Sequence, residues 1–446
     1  MRPRRSVGWL GRLGLSALLA LSPAAATTAQ TPDASAEVSL RLGAAAATQA
    51  AQRSRLGVLG DAFSCADARF VAYRRSTAEP EVVDQWYVAS QLWADALLLG
   101  STSQPGGWDV ADARCYLDKG FVFLDRLWDY TSAGYFPQSN PVGTSVETKR
   151  RFGDDNALSG LALLEAAAAT SDPRAAQQYT HAAIREADFL LQSGLWDDTF
   201  GGGFWWNTGR GDSPEGKPAQ TNAIAALFFA RLYQATGDTS YRDWALRTLL
   251  WLDTILYDPS KQLYRWSIAY QDVPNRHGSV ISPRLFNYDQ GIAIEAELAA
   301  ERLDGDPGRR SRARAVAAAI GPTFWSDALG GYTLEAGIEQ VFTSYSAWTA
   351  LGALALFDAD SDTRWLDEAR RDANGLGTNT RQADGSYAVR AYVCVDRSAP
   401  GCQSGPGARV VDPTVDAAAD AWAQHLETAL AQRLRPSSPP ADSGTG

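Results

Sequence analysis

The sequence predicts an all-α protein, an (α/α)6 barrel of six helical hairpins, on three observations. Apolar residues recur at three- and four-residue spacing in about twelve segments. Short Gly/Asp/Pro turns alternate with long Trp/Gly-rich loops between those segments. Alternating strand-like patterns are confined to short pieces such as 264–268 and 387–393.

An Ala-rich segment at 34–60 supplies the first helix. Periodic stretches then predict helices over 84–99, 111–130, 156–169, 174–192, 222–236 and 240–256. Further helices are expected over 289–302, 307–320, 343–357, 363–376 and 414–433. Within a hairpin the punctuation is brief: TSDPR at 170–174, TGDTS at 236–240, LDGDPG at 303–308 and FDADSD at 357–362. Asp and Ser/Thr in these turns accept from the first free amides of the next helix. Between hairpins the loops 131–153, 194–219, 257–287 and 321–341 are longer. Pairing the first helix with the last closes the toroid; an open superhelical solenoid is the alternative. A single domain over 30–435 accommodates all of them.

Composition narrows the function. The chain has 446 residues, 45% hydrophobic and 21% charged, which fits a globular fold and excludes wholesale disorder. Its net charge of −10 repels phosphate backbones, so no nucleic-acid partner is expected. Trp is as frequent as Phe, 15 each, giving flat apolar faces beside many carboxylates, as sugar sites need.

The N-terminus is an address. Arg2, Arg4, Arg5 and Arg12 precede an apolar run at 13–21, and Ala24, Ala26 and Ala29 offer small-residue cleavage sites. A signal peptide over 1–29, a secreted mature chain with no membrane attachment and a disordered Pro/Ser/Gly tail at 436–446 are the expectations. In an oxidising compartment Cys65, Cys115, Cys394 and Cys402 allow three pairings. The Pro/Gly loop between Cys394 and Cys402 favours a local bridge, which leaves Cys65 with Cys115. No CxxC occurs and only three histidines exist, so no metal site and no cofactor are expected.

The strongest chemical constellation is Asp154–Asp155, just before an apolar helix. Carboxyls projecting from a helix mouth at adjacent positions can lie roughly 5–6 Å apart, and a retaining glycosidase needs about 5–5.5 Å. Two such groups cannot both ionise cheaply, so one titrates high and can act as the acid. A double N-cap on an ordinary helix explains the same pair. Trp205 and Trp206 follow three glycines in a long loop, where an exposed indole stacks on a sugar ring; one of the two is expected to pack inward. Asn207, Asn222, Asp289 and Gln290 stand at turns or helix starts, as caps or hydroxyl-binding groups. Trp86 lies on the first hairpin, and Asp95 interrupts its apolar run and so is a candidate to face the barrel interior.

Four segments in order carry a resemblance: DDNALSGLALLEA from Asp154, GGGFWWNT from Gly201, TNAIAALFFARLYQATGDTSYRDWAL from Thr221 and FNYDQGIAIEAELA from Phe286. Together they resemble glycoside hydrolase family 76, the α-1,6-mannanases, over roughly residues 84–300. The family's Tyr-Asn-Gln-Gly has become Tyr288-Asp289-Gln290-Gly291. The resemblance implies an (α/α)6 barrel, retaining hydrolysis of α-1,6-mannan or a related mannose-containing polysaccharide, Asp154 as nucleophile and Asp155 as acid/base. A monomer is expected. The competing functions are a carbohydrate-binding protein with capping aspartates, a transglycosylase and a sugar epimerase.

Overall fold

The computed structural model describes residues 34–52, 83–101, 110–139 and 150–434. Among them twelve helices run in order: α1 (Ala34–Ala51), α2 (Gln85–Leu99), α3 (Val110–Asp125), α4 (Gly153–Ala169), α5 (Pro173–Gln192), α6 (Ala219–Thr236), α7 (Thr239–Ile255), α8 (Asn287–Asp304), α9 (Pro307–Phe324), α10 (Thr343–Asp360), α11 (Thr363–Asn379) and α12 (Ala417–Arg433). The even-numbered helices pack side by side as an inner ring, α2 on α4, α4 on α6, and onward until α12 returns to α2. Each odd helix lies outside its partner, and α1 packs on α12. The (α/α)6 barrel is therefore closed, and closed by the first helix and the last. The Arg41–Glu427 ion pair, 3.0 Å long and buried, spans that seam.

Local chemistry explains the grammar. The outer helices α5, α7, α9 and α11 each begin on an Asp (Asp172, Asp238, Asp306, Asp362) whose carboxylate accepts a backbone N–H two residues on. The helix before the turn ends in the left-handed region at Gly237, Gly305 and Ser361, so one residue reverses the chain and the next caps the return. Outer α5 and α11 bury one stripe, whereas inner α4, α6 and α12 bury nearly every position because they have neighbours all round.

The inner helices crowd closely where α8 meets α10. A Cβ on Gly291 would stand 2.7 Å from the Thr349 Cα, and one on Gly352 would stand 2.7 Å from the Gly291 carbonyl oxygen. Gly291→Ala therefore forces two backbones apart. We expect a loss of about 1–3 kcal/mol despite the better helix propensity of Ala, read as a lower urea midpoint at unchanged slope.

All inner helices begin at one rim. There the long loops carry short antiparallel strands: Lys217–Pro218 with Ser267–Ala269 and Val280–Ile281, and Gln340–Phe342 with Ala388–Val393 and Arg409–Val415. Cys394 is bonded to Cys402 within the second sheet's loop, as expected. Cys115 is also disulfide-bonded; Cys65 lies outside the described residues, so its link to Cys115 stays an expectation. The signal segment at 1–29 and the tail at 436–446 also lie outside them. No described helix is long and apolar enough to cross a membrane.

Candidate active site

The axis of the barrel is filled with rings. Trp86 lies 5.6 Å from Trp348, Trp348 stacks on Trp422 at 4.6 Å, and Trp422 stacks on His425 at 5.5 Å. At the strand-bearing end of this column, a cleft of about 380 Å³ is lined by Trp86, Tyr87, Asp154, Asp155, Trp206, Gln220, Phe342, Tyr345 and Asp416 among others.

Asp154 and Asp155 occupy the first turn of α4 and open into this cleft. Asp154 is 2% exposed. Its Oδ2 accepts the Trp206 indole N–H at 3.1 Å and the Gln220 amide at 2.5 Å, and its Oδ1 accepts the Asp155 backbone N–H at 3.1 Å. Burial raises its pKa, and these donors limit the rise, leaving it at about 6. Asp155 is half-buried, and no donor among the described residues serves its carboxyl. Burial, then the facing carboxylates of Asp154 and Asp84, push its pKa well above the ordinary carboxylate range. The two aspartates are thus driven apart: one is held as an anion by aimed donors, the other keeps its proton. A pair divided in this way has the chemistry to act as a nucleophile and an acid.

The loop that delivers Trp206 is strapped to the start of α4. Gly153 N–H donates to the Trp206 carbonyl at 2.8 Å, and Thr208 N–H donates to the Arg151 carbonyl at 3.0 Å. Inside the loop, Lys217 is fully buried and its ammonium donates to carbonyls of Asp197, Thr199 and Gly202 and to the Asp197 carboxylate at 2.7–3.0 Å. The same ammonium sits 4.7 Å over the Trp205 ring.

That arrangement corrects several sequence-derived expectations. Trp205 is 1% exposed, and its indole donates to Asp197 at 2.8 Å, so it is the tryptophan that packs inward. Gly202 and Gly203 before it pack against Trp196 and Trp251, while a Cβ on Gly201 would meet nothing within 4 Å. Asn207 is buried and accepts the Gly209 N–H at 2.9 Å. Asn222 is buried beneath the loop, accepting from Phe204 N–H at 2.7 Å and donating to the Pro218 carbonyl at 2.9 Å. Gln290 does the same for Tyr264, accepting its N–H at 2.8 Å and donating to its carbonyl at 2.9 Å. Asn222 and Gln290 tie loops to helix starts, because a buried backbone amide without a partner is costly. Asp289 is also fully buried, with neither oxygen hydrogen-bonded and a pKa raised well above the usual range by desolvation. Asp95 does face the interior, but deep in the barrel, where Gln49, Gln91 and Gln424 donate to it. Of the expected sugar contacts, only Trp86 and Trp206 line the cleft with the aspartate pair.

The sequence did not single out Tyr87, Gln220, Tyr345, Asp84 or Asp416. Asp84 and Asp416 immediately precede inner helices, as Asp154 nearly does, so an acidic residue at an inner-helix start was the available signal. Gln220 carries none, since only the loop strapping brings it to Asp154.

A closed six-hairpin barrel with a split carboxyl pair at one mouth defines the class, the (α/α)6 glycoside hydrolases. The family model described as glycosyl hydrolase family 76 matches residues 137–349. A mannan endo-1,6-alpha-mannosidase of Candida glabrata is 27% identical over 212 residues, 44% of this chain and 45% of that protein, so the match spans about half the length of the curated relative. A GH76 α-mannanase of Bacteroides thetaiotaomicron superposes with a TM-score of 0.69 at 20% identity, covering 90% of this chain and 98% of that one. An inactive variant of an α-1,6-mannanase of Salegentibacter sp. HEL1_6, with two consecutive aspartates replaced by asparagine and α-1,6-mannotriose bound, superposes with a TM-score of 0.64 at 19% identity, covering 89% and 100%. Over residues 137–349, just under half of its length, the chain is similar to glycosyl hydrolase family 76.

Donor removal offers a direct check on the split pair. Trp206→Phe keeps the ring but deletes one N–H to the Asp154 anion. A hydrogen bond to a charged group contributes roughly 1.5–3 kcal/mol, so the acidic limb of the activity profile should move up by about one to two pH units. The sign is that of a group that works deprotonated, since losing a donor favours its protonated form. A limb that stays in place in the kcat/KM profile would assign it to another group.

Proposed function

We propose that the protein is a secreted, retaining glycoside hydrolase that cleaves α-1,6-mannan or a closely related mannose-containing polysaccharide. The observation that carries this reading is the asymmetry of the pair: Asp154 with three donors and Asp155 with none, side by side in an aromatic cleft. In the proposed cycle Asp154 Oδ attacks the anomeric carbon while Asp155 protonates the departing glycosidic oxygen. Asp155, now anionic, takes a proton from water, which displaces Asp154 and restores both groups. The Salegentibacter enzyme supports the assignment, since replacing two consecutive aspartates inactivated it. Trp86, Trp206 and Tyr345 offer half-buried ring faces for the sugar bound between the carboxyls.

Incubation of the mature protein with α-1,6-mannan should release oligosaccharides whose new reducing ends first appear as the α-anomer by NMR. Initial release of the β-anomer would replace double displacement by single displacement. Binding without release would favour the carbohydrate-binding alternative. Activity should form a bell in pH, rising as Asp154 ionises near 6 and falling only when Asp155 loses its proton at higher pH.

A further inference from the structure

We propose that a second groove on the same rim holds the polysaccharide several sugars away from the scissile bond. This inference rests on the mannan reading above. The sheet formed by Gln340–Phe342, Ala388–Val393 and Arg409–Val415 turns one face to the barrel, where Val341 and Ala391 are fully buried. The opposite face presents Phe342, Arg390 and Tyr392. Phe342 lines the catalytic cleft, 6.1 Å from the Tyr345 ring, and pairs in register with Arg390. The Arg390 guanidinium lies 5.6 Å from the Phe342 ring and 5.5 Å from the Tyr392 ring, so it joins the cleft wall to the next surface. Two residues further along the strand, about 7 Å on, a groove of about 660 Å³ opens, larger than the cleft of about 380 Å³.

The groove has the chemistry of a site for a neutral glycan. Its walls expose apolar surface, Ile338 at 49% and Val395 at 87%, beside hydrogen-bonding groups of Gln340 and Asp396. Arg390 is offset by an ion pair with Asp412 at 3.1 Å, so the groove does not present a free cation for an anionic substituent. The Cys394–Cys402 disulfide closes the loop that forms its far wall, and both cysteines line it. Fixing that loop before binding lowers the entropy lost when a long, flexible sugar chain settles on it.

The experiment compares kcat/KM on α-1,6-mannotriose, too short to leave the cleft, with kcat/KM on polymeric α-1,6-mannan. The variants are Val395→Asp, Tyr392→Ala and Cys394→Ser with Cys402→Ser. Each should leave the trisaccharide rate unchanged and lower kcat/KM on the polymer about five- to tenfold, chiefly through KM. Val395→Asp alters an exposed side chain, so its effect is separable from folding. Equal losses on both substrates, or none on either, would overturn the groove while leaving the mannanase reading intact. Wild-type protein that cleaves neither substrate would overturn the mannanase reading and the groove's ligand with it.

Discussion

Asp154→Ala should abolish turnover on every substrate, by roughly 10⁵-fold or more, because it removes the nucleophile of the proposed double displacement. The loss should not depend on the leaving group. Activated aryl mannosides need no protonation, yet they still need a nucleophile. Azide supplies one in solution at the vacated site, and displacement by azide from the free face inverts the anomeric centre once. The expected product in azide is therefore the β-glycosyl azide, identified by NMR. Asp154→Ala also leaves the Trp206 indole and the Gln220 amide without their acceptor. Asp154→Asn keeps the shape but offers an amide in place of an anion, and it should be equally inactive. Appreciable turnover in both variants would return the pair to a capping role.

Asp155→Ala should behave differently. On mannan the loss of the general acid is expected to cost about 10²–10⁴-fold, the usual contribution of proton transfer. On a dinitrophenyl mannoside the first step should survive, since that leaving group departs as an anion. The second step lacks its base, so a glycosyl-enzyme should accumulate on Asp154 and be seen by intact-protein mass spectrometry. Azide should then release it with the original α-configuration, two displacements giving net retention. The same anion therefore yields opposite anomers from the two variants. Rescue of both variants to the same anomer would reverse or merge the two roles.

The fold was largely legible because its signals are local. Apolar spacing and an Asp after each short turn set the hairpins, and the structure begins α5, α7, α9 and α11 directly after Asp172, Asp238, Asp306 and Asp362. Inner helices α4, α6 and α8 start two or three residues earlier than periodicity implied, because a polar first turn breaks the apolar pattern. The site was legible only where one short segment carries it, as the Asp154–Asp155 pair does. Trp205 and Trp206 are indistinguishable by sequence, and the choice between them is made by Lys217, buried against one of them. Asn222, Gln290 and Asp289 stand at inner-helix starts like the cleft residues, but their side chains turn beneath the loops. Which way such a residue faces depends on backbone amides contributed from 18 to 26 positions away, and no local pattern encodes that.

Ring closure also bears on the order of folding. The helix that seals the ring, α12, comes last in the described chain, and its partners α1 and α2 come first; Arg41 and Glu427 are 386 residues apart. During vectorial synthesis the central hairpins can pair with their sequence neighbours, but the seam has no partner until the end of the chain emerges. Such a topology combines low contact order within hairpins with one very distant closure, so nucleation is quick and the final docking slow. Since Asp84 and Asp416 flank the cleft from the two sides of that seam, the cleft is complete only after the docking step. A nascent chain short of α12 would hold the Asp154–Asp155 pair and still lack a finished pocket, so competence for catalysis would arrive with the last turn of helix.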